Sequence, residues 1–194
     1  VDEEGGTVTR VAAAGLAEAQ PSPKEIGATG DVNKAYETGT TIGAYLKELG
    51  FDVNFAPVAD LSNVENSIML DRSYGATAAE VTPYVLGMMK GLEEQGITAC
   101  MKHFPGIGGT TGDTHDGLVA ITRTAEEMRA EELAVYKAGI EAGARMIMLG
   151  HADVESLTGD KTSAVLSEVI VTDILRGELG FKGVIVTVNE EIID

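Results

Sequence analysis

The stretch Glu94-Gln95-Gly96-Ile97-Thr98-Ala99-Cys100-Met101-Lys102-His103 contains the pattern that decides the fold: a helix end, a glycine, a short apolar segment and a polar terminus. The segment from Ile97 to Met101 is nearly continuously apolar, which is typical of a strand buried on both faces of a parallel sheet. Lys102 and His103 follow it directly. The sequence therefore predicts an α/β fold that delivers these two side chains at the carboxyl end of a strand.

The same junction recurs along the chain, as Glu48-Leu49-Gly50, Glu141-Ala142-Gly143 and Glu178-Leu179-Gly180. Apolar residues at helical spacing before the glycines predict helices over 33–49, 79–95, 124–142 and 167–179. The apolar segments after them predict strands over 51–59, 97–101, 145–149 and 184–188. This repetition predicts a parallel sheet, either a small doubly wound sheet or a sector of an eight-stranded barrel.

The N-terminal part of the chain, before the first of these helices, is less regular. Residues 1–10 resemble the end of a strand followed by a glycine turn, and Pro21 and Pro23 indicate a loop. The chain starts at Val1 without an initiator methionine, as if cut from a longer sequence. Both a cytoplasmic and a secreted location therefore stay open.

Composition excludes several classes of partner. The chain has 194 residues, 44% of them hydrophobic, and a formal net charge of -17, so nucleic acid and anionic membranes are not expected as partners. No segment approaches the roughly 20 apolar residues of a membrane helix. The single cysteine, Cys100, lies in an apolar run and is predicted to be a buried, inert thiol.

Polar residues follow every predicted strand, and in parallel α/β folds such residues meet on one face. They are Asp60, Lys102 with His103, His151 and Asn189, with Asp2 in the same position after the first strand end. A loop with four glycines between 106 and 112 leads to Asp113 and His115. This pair is either a proton-transfer pair or a turn with a solvated histidine.

Some of the same residues are of types that bind metal ions or phosphate. Zinc ligands could come from His103, His115, Asp113 and His151, but the chain has no H-E-x-x-H and no paired cysteines. Neither G-x-G-x-x-G nor a Walker sequence supports a phosphate loop. The sequence therefore predicts no metal and no cofactor. A generic α/β enzyme acting on a phosphorylated metabolite remains an alternative.

Five motifs together make the chain similar to family 3 of the glycoside hydrolases, in the branch of bacterial β-N-acetylglucosaminidases. They are Val1-Asp2-Glu3-Glu4-Gly5-Gly6, Asn54-Phe55-Ala56-Pro57-Val58-Ala59-Asp60, Asp71-Arg72-Ser73-Tyr74-Gly75, Lys102-His103-Phe104-Pro105-Gly106 and Asp113-Thr114-His115. The resemblance covers essentially the whole chain. It implies that residues 1–194 are part of one (β/α)8-type barrel domain, a sector without the first strand and the last units, because five strand ends cannot close a barrel.

The resemblance also implies a carbohydrate substrate and roles for particular residues. The residues expected to hydrogen-bond the terminal sugar are Asp2, Arg10, Arg72, Lys102 and His103. His115, supported by Asp113, would be the general acid/base. The implied reaction is removal of terminal β-linked N-acetylglucosamine, from peptidoglycan fragments, by a retaining mechanism with a glycosyl-enzyme intermediate.

Three departures from the family pattern bear on this activity. Thr7 stands where the family usually has arginine, and Ile107 and Gly109 replace the histidine and aspartate of K-H-F-P-G-H-G-D. Val188 occupies the position of the aspartate nucleophile, and Glu190 is the nearest candidate to substitute for it. Since valine cannot attack, we expect the chain to be inactive or nearly so as a glycosidase. The alternative function is a sugar-binding homologue that has lost the nucleophile.

Overall fold

A four-stranded parallel sheet forms the centre of the fold. The computed structural model describes residues 1–65, 67–110 and 119–188. The sheet consists of β3, β4, β6 and β8, in that spatial order. Their bounds are Val53–Asn54, Thr98–Phe104, Met146–Leu149 and Val184–Thr187.

The spatial order of these strands distinguishes a barrel sector from a doubly wound sheet. Each strand lies beside the next one along the chain, and all neighbouring pairs are parallel. A doubly wound sheet reverses its order at a switch point, whereas a barrel continues in one direction. The prediction of a barrel-type α/β fold is confirmed, and the doubly wound alternative does not fit the strand order.

The predicted strand end at the N-terminus also lies beside this sheet. The N-terminal amine of Val1 donates to the carbonyl of Val53 at 3.1 Å, and the Phe55 N–H donates to the Val1 carbonyl at 2.7 Å. A hairpin follows, in which β1 (Glu3–Gly5) pairs with β2 (Val8–Thr9). Gly5 and Gly6 have positive φ values of 91° and 63°, so the predicted glycine turn is confirmed.

The helices and small remaining elements complete the chain. They are α1 (Pro23–Ala28), α2 (Asn33–Glu48), α3 (Ala78–Glu94), β5 (Val119–Ala120), α4 (Ala125–Ala130), α5 (Glu132–Glu141), β7 (Ala152–Asp153), α6 (Glu155–Thr158), a 3₁₀ turn (Ala164–Leu166) and a π-helix (Val169–Glu178). Helices α2 and α3 pack closely, because glycines lie at their contact: a Cβ on Gly91 would collide with the Tyr36 carbonyl. β5 and β7 form a separate parallel pair.

Several predicted boundaries were wrong, each for a local reason. The segment around Pro23 is helix α1, because Ser22 and Glu25 form a capping box and proline suits the first helical turn. The helix predicted over 124–142 is two helices with a break at Glu131. The strand predicted over 51–59 is shorter, since Pro57 has no N–H to donate, although Ala59 N–H still bonds the Lys102 carbonyl.

The apolar core lies between the sheet and the helices. Phe104, the last residue of β4, packs edge-on against Tyr136 of α5, with ring centroids 4.9 Å apart. A second, smaller apolar cluster lies beyond the strand ends and includes Val58, Met69, Ile107 and Met128. Met101 and Phe104 of β4 belong to the larger cluster. Val58, which forms a β-bridge with Lys102, belongs to the smaller one, so both clusters pack near the carboxyl end of β4.

Candidate active site

A cavity of about 650 Å³ opens at the carboxyl ends of the strands. This volume falls in the range of about 300–1,000 Å³ that is usual for small-molecule sites. Its polar lining contains Asp2, Arg10, Arg72, Lys102 and His103, all five of the sugar-binding residues that the resemblance implied. Its apolar lining contains Ile68, Met69, Ile107, Met148, Val186 and Val188.

Lys102 is the centre of the polar side. Its Nζ lies 2.6 Å from Asp2 Oδ1 and 2.6 Å from Glu4 Oε1, and its side chain is only 2% exposed. Glu4 also receives two hydrogen bonds from the guanidinium of Arg72, at 2.9 and 2.7 Å. Lys102 and Glu4 are buried, whereas Asp2 and Arg72 are only partly buried. The buried charges are tolerable because each is paired with an opposite charge. The result is a rigid set of donors and acceptors facing the cavity.

The pKa values in this network follow from burial and pairing. Burial raises the pKa of the Glu4 carboxyl, but the hydrogen bonds and charges of Arg72 and Lys102 outweigh it and leave the pKa below its ordinary value. The same balance, with Lys102 as the main partner, lowers the pKa of Asp2. Both carboxylates are therefore charged at neutral pH and can accept hydrogen bonds from a ligand.

His103 is held by Asp60. Its ring Nδ1 lies 2.7 Å from Asp60 Oδ2, and its backbone N–H donates to the same oxygen at 3.1 Å. Burial lowers the pKa of His103, and the charge of Asp60 only partly opposes this, so the imidazole is neutral at pH 7. The peptide bond between Lys102 and His103 is cis.

Arg10 and Val188 also line the cavity. Arg10 is exposed, and none of the described residues offers its guanidinium a hydrogen bond or an ion pair. Val188 follows β8, where its N–H approaches the Leu149 carbonyl at 3.4 Å and its carbonyl lies 3.0 Å from His151 Nε2. Val188 therefore occupies the carboxyl end of a barrel strand and faces the cavity, with no carboxylate to offer.

Four of the residues singled out from the sequence, Asp113, His115, Asn189 and Glu190, lie outside the described residues. One buried carboxylate was missed as a site residue, Glu4, which holds Lys102 and Arg72. Asp60 was expected on the strand-end face, but its bond to His103 was not predicted. The position of Asp60 at a strand end was a usable signal. Glu4 had none, because glutamate beside a glycine turn is normally exposed.

The structure also bears on the expectations about Cys100, metal ions and membrane helices. Cys100 is buried, as predicted, and burial raises the pKa of its thiol to about 12. Within residues 1–65, 67–110 and 119–188, no group of three or more His, Cys, Asp or Glu could hold a metal ion. No helix in the described part of the chain is long and apolar enough to cross a membrane.

Fold and cavity together define a β/α-barrel protein with a polar-lined cavity at the carboxyl ends of its strands. Comparison with known families gives the particular one: the glycosyl hydrolase family 3 N-terminal domain matches residues 1–192. The chain belongs to this family.

Relatives and solved structures agree with this assignment. The chain is 32% identical to β-hexosaminidase LpqI of Mycobacterium tuberculosis over 93% of its own length and 46% of that protein. It is 33% identical to a β-hexosaminidase of Stenotrophomonas maltophilia, covering 95% of this chain and 56% of the relative. A family 3 β-N-acetylglucosaminidase from a Paenibacillus species superimposes with a TM-score of 0.88 at 35% identity, over 96% of this chain and 35% of that one. The chain thus spans about half the length of the curated relatives it matches.

Proposed function

We propose that this chain forms the substrate-binding part of a β-N-acetylhexosaminidase that removes terminal β-linked N-acetylglucosamine. The observation that carries the proposal is the paired cluster in the cavity, where Lys102 bonds Asp2 and Glu4 at 2.6 Å beside a neutral His103. Fixed donors and acceptors of this kind match a ligand with several hydroxyl groups in defined directions. The apolar side of the cavity suits the ring face and the acetamido methyl group.

The balance of charges favours a neutral sugar over a phosphorylated metabolite. Three cations, Arg10, Arg72 and Lys102, line the cavity. Three carboxylates, Asp2, Glu4 and Asp60, lie in it or bond its lining residues. Since the charges offset one another, an anionic ligand gains little from entering the site.

The proposed reaction is hydrolysis with retention of configuration. His115, oriented by Asp113, would donate a proton to the leaving group and later remove one from water. A carboxylate about 5–5.5 Å from this acid/base would attack the anomeric carbon and form a glycosyl-enzyme intermediate. Peptidoglycan fragments are the proposed natural source of the sugar, in keeping with the bacterial relatives.

Val188 favours a second candidate, a protein that binds N-acetylglucosamine without hydrolysing it. This side chain lines the cavity where the strand β8 ends, which is the position proposed for the nucleophile. Binding uses the Lys102 and His103 side of the cavity and does not require a carboxylate at position 188. The two candidates therefore share a ligand and differ in turnover.

Two measurements on the purified chain test these proposals. Isothermal titration with N-acetylglucosamine should give binding, and titration with inorganic phosphate should give none. Hydrolysis of a chromogenic N-acetylglucosaminide supports the first candidate, while binding without hydrolysis supports the second. Binding of phosphate with no binding of the sugar would overturn both.

A further inference from the structure

Glu3 is a buried carboxylate that takes no part in the paired cluster around Lys102. It is 0% exposed, and its two oxygens accept four hydrogen bonds. Oε2 accepts the backbone N–H groups of Arg10 and Val11, at 2.6 and 2.8 Å. Oε1 accepts the backbone N–H of Ala12 at 3.1 Å and the hydroxyl of Tyr45 at 2.9 Å.

The backbone of Glu3 is fixed as firmly as its side chain. Its N–H donates to Asn54 Oδ1 at 3.0 Å, and its carbonyl accepts from Asn54 Nδ2 at 2.8 Å. Asn54 belongs to β3 and is itself 0% exposed. Glu3 is therefore tied to the central sheet through Asn54 and to helix α2 through Tyr45.

Three consecutive N–H groups bonded to one carboxylate define the path of the chain at residues 10–12. Arg10 is the first of them, and its side chain lines the cavity. The side chains of Arg72 and Lys102 are each fixed by an ion pair with Glu4. The described residues give the Arg10 guanidinium no hydrogen bond or ion pair. It meets only the more distant charge of Asp2, so its direction depends mainly on its backbone.

We propose that Glu3 is a positioning residue that aims Arg10 at the ligand. The inference rests on the proposed sugar-binding function, in which Arg10 hydrogen-bonds a hydroxyl of the terminal sugar. Glu3 does not touch the ligand. It acts by fixing the backbone of Arg10. Because Glu3 is itself bonded to Asn54 and Tyr45, the starting point of the exposed Arg10 side chain is fixed relative to the barrel.

A purely structural role for Glu3 predicts a different pattern of binding energies. If Glu3 acts through Arg10, its loss should matter only while Arg10 is present. If it only stabilises the fold, its loss should weaken binding equally with or without Arg10. A double-mutant cycle between the two residues separates these cases.

The cycle uses E3M, R10A and the double variant, with affinity for N-acetylglucosamine measured by titration calorimetry. Methionine keeps the length of the side chain but accepts none of the hydrogen bonds. E3M and R10A should each weaken binding about tenfold, and the double variant should bind no more weakly than R10A alone. An E3M effect of the same size in the R10A background, or unchanged binding in E3M, overturns the proposal.

Two milder variants keep the test open if E3M fails to fold. E3Q retains an oxygen that can accept from Arg10 and Val11, so it should bind within about threefold of the parent. Y45F removes one donor to Glu3 and should weaken binding by about two- to fivefold. Its matched control is Y36F on the same helix. This variant removes the exposed 2.6 Å bond from Tyr36 to Glu94 but no bond to Glu3, and it should leave affinity unchanged. Equal affinity of Y45F and Y36F counts against the proposal.

A result in which the parent binds no N-acetylglucosamine removes the proposed function but not the positioning role. In that case the positioning role is tested without a ligand, by measuring the order of the Arg10 Nε–H group by NMR. Y45F should lower its heteronuclear NOE relative to Y36F if Glu3 orders Arg10. An unchanged NOE in Y45F overturns the positioning role by itself.

Discussion

The carboxylate of Asp60 contacts His103 at two atoms, the ring Nδ1 at 2.7 Å and the backbone nitrogen at 3.1 Å. Its other oxygen accepts the backbone N–H of Ile107 at 2.7 Å. Because a carboxylate accepts, Nδ1 carries the proton in this pair and Nε2 is left as an acceptor. A ligand hydroxyl that meets His103 in the cavity therefore acts as the donor.

This arrangement predicts a pH dependence of stability. The pKa of His103 in the folded protein lies below the ordinary value of 6.5, chiefly because of burial. The unfolded chain then takes up more protons than the folded one as pH falls below 6.5, so the free energy of unfolding decreases until the folded pKa is passed. Urea unfolding between about pH 5 and pH 7.5 should show this slope, and His103→Gln should flatten it. An equal slope in His103→Gln would show that other groups cause it.

Lys102→Ala should reduce both stability and binding. It leaves Glu4, which is 1% exposed, with Arg72 as its remaining partner. Breaking a buried ion pair usually costs about 3–5 kcal/mol of unfolding free energy, and binding of N-acetylglucosamine should weaken roughly tenfold or more. The loss should be smaller at acid pH, where Glu4 is protonated.

A matched lysine tests whether this effect comes from burial. Lys90 pairs with Glu94 at 3.8 Å on the surface of α3, with its side chain 67% exposed. Lys90→Ala should change the unfolding free energy by about 1 kcal/mol or less and leave binding as it is. Equal losses in the two variants would contradict a buried network at Lys102.

The sequence predicted the sheet well and the pairings inside the site poorly, and one physical reason explains both. The helix–glycine–strand junctions are local patterns, so β4, β6 and β8 could be placed from periodicity. The bond between Asp60 and His103 spans 43 positions, and the bond between Lys102 and Asp2 spans 100. Such partners are known only once neighbouring strands are in register.

Arg72, which lies outside the strands, also has a partner that local sequence patterns could not predict. The resemblance assigned it to the sugar, and it does line the cavity. Its two hydrogen bonds, however, go to Glu4, a residue 68 positions away that sequence reasoning left out of the site. No local pattern distinguishes Glu4 from Glu3, although one holds the cavity cations and the other holds the backbone of residues 10–12.

His115→Ala tests the proposed acid/base, whose position lies outside the described residues. In an active form of the protein, turnover should fall by about 10² to 10⁴, the usual contribution of general acid–base catalysis. Asp113→Asn should give a smaller loss of the same kind. The pH dependence of turnover should change in His115→Ala, and an unchanged profile would rule out this assignment.

In a full-length form of the protein, Val188→Asp should supply a nucleophile and raise glycosidase activity by orders of magnitude. Leu149 and Thr187 are in register between β6 and β8, so Val188 is the next residue at the carboxyl end of that strand and lines the cavity. A retaining mechanism requires a carboxylate beside the anomeric carbon, and Val188→Asp would add one to the cavity that Lys102 also lines. Release of the chromophore from an N-acetylglucosaminide measures the gain, and NMR of the first product anomer shows whether configuration is retained.

The control for this substitution is Val184→Asp, at the opposite end of the same strand, where Val184 is 53% exposed. It adds the same charge to β8 without placing it in the cavity, and it should produce no activity. Glu190→Gln in the Val188→Asp background should leave the gain intact, because the new aspartate does the attacking. Appreciable hydrolysis by the unchanged chain, with retention and abolished by Glu190→Gln, would instead make Glu190 the nucleophile and remove the need for a carboxylate at position 188.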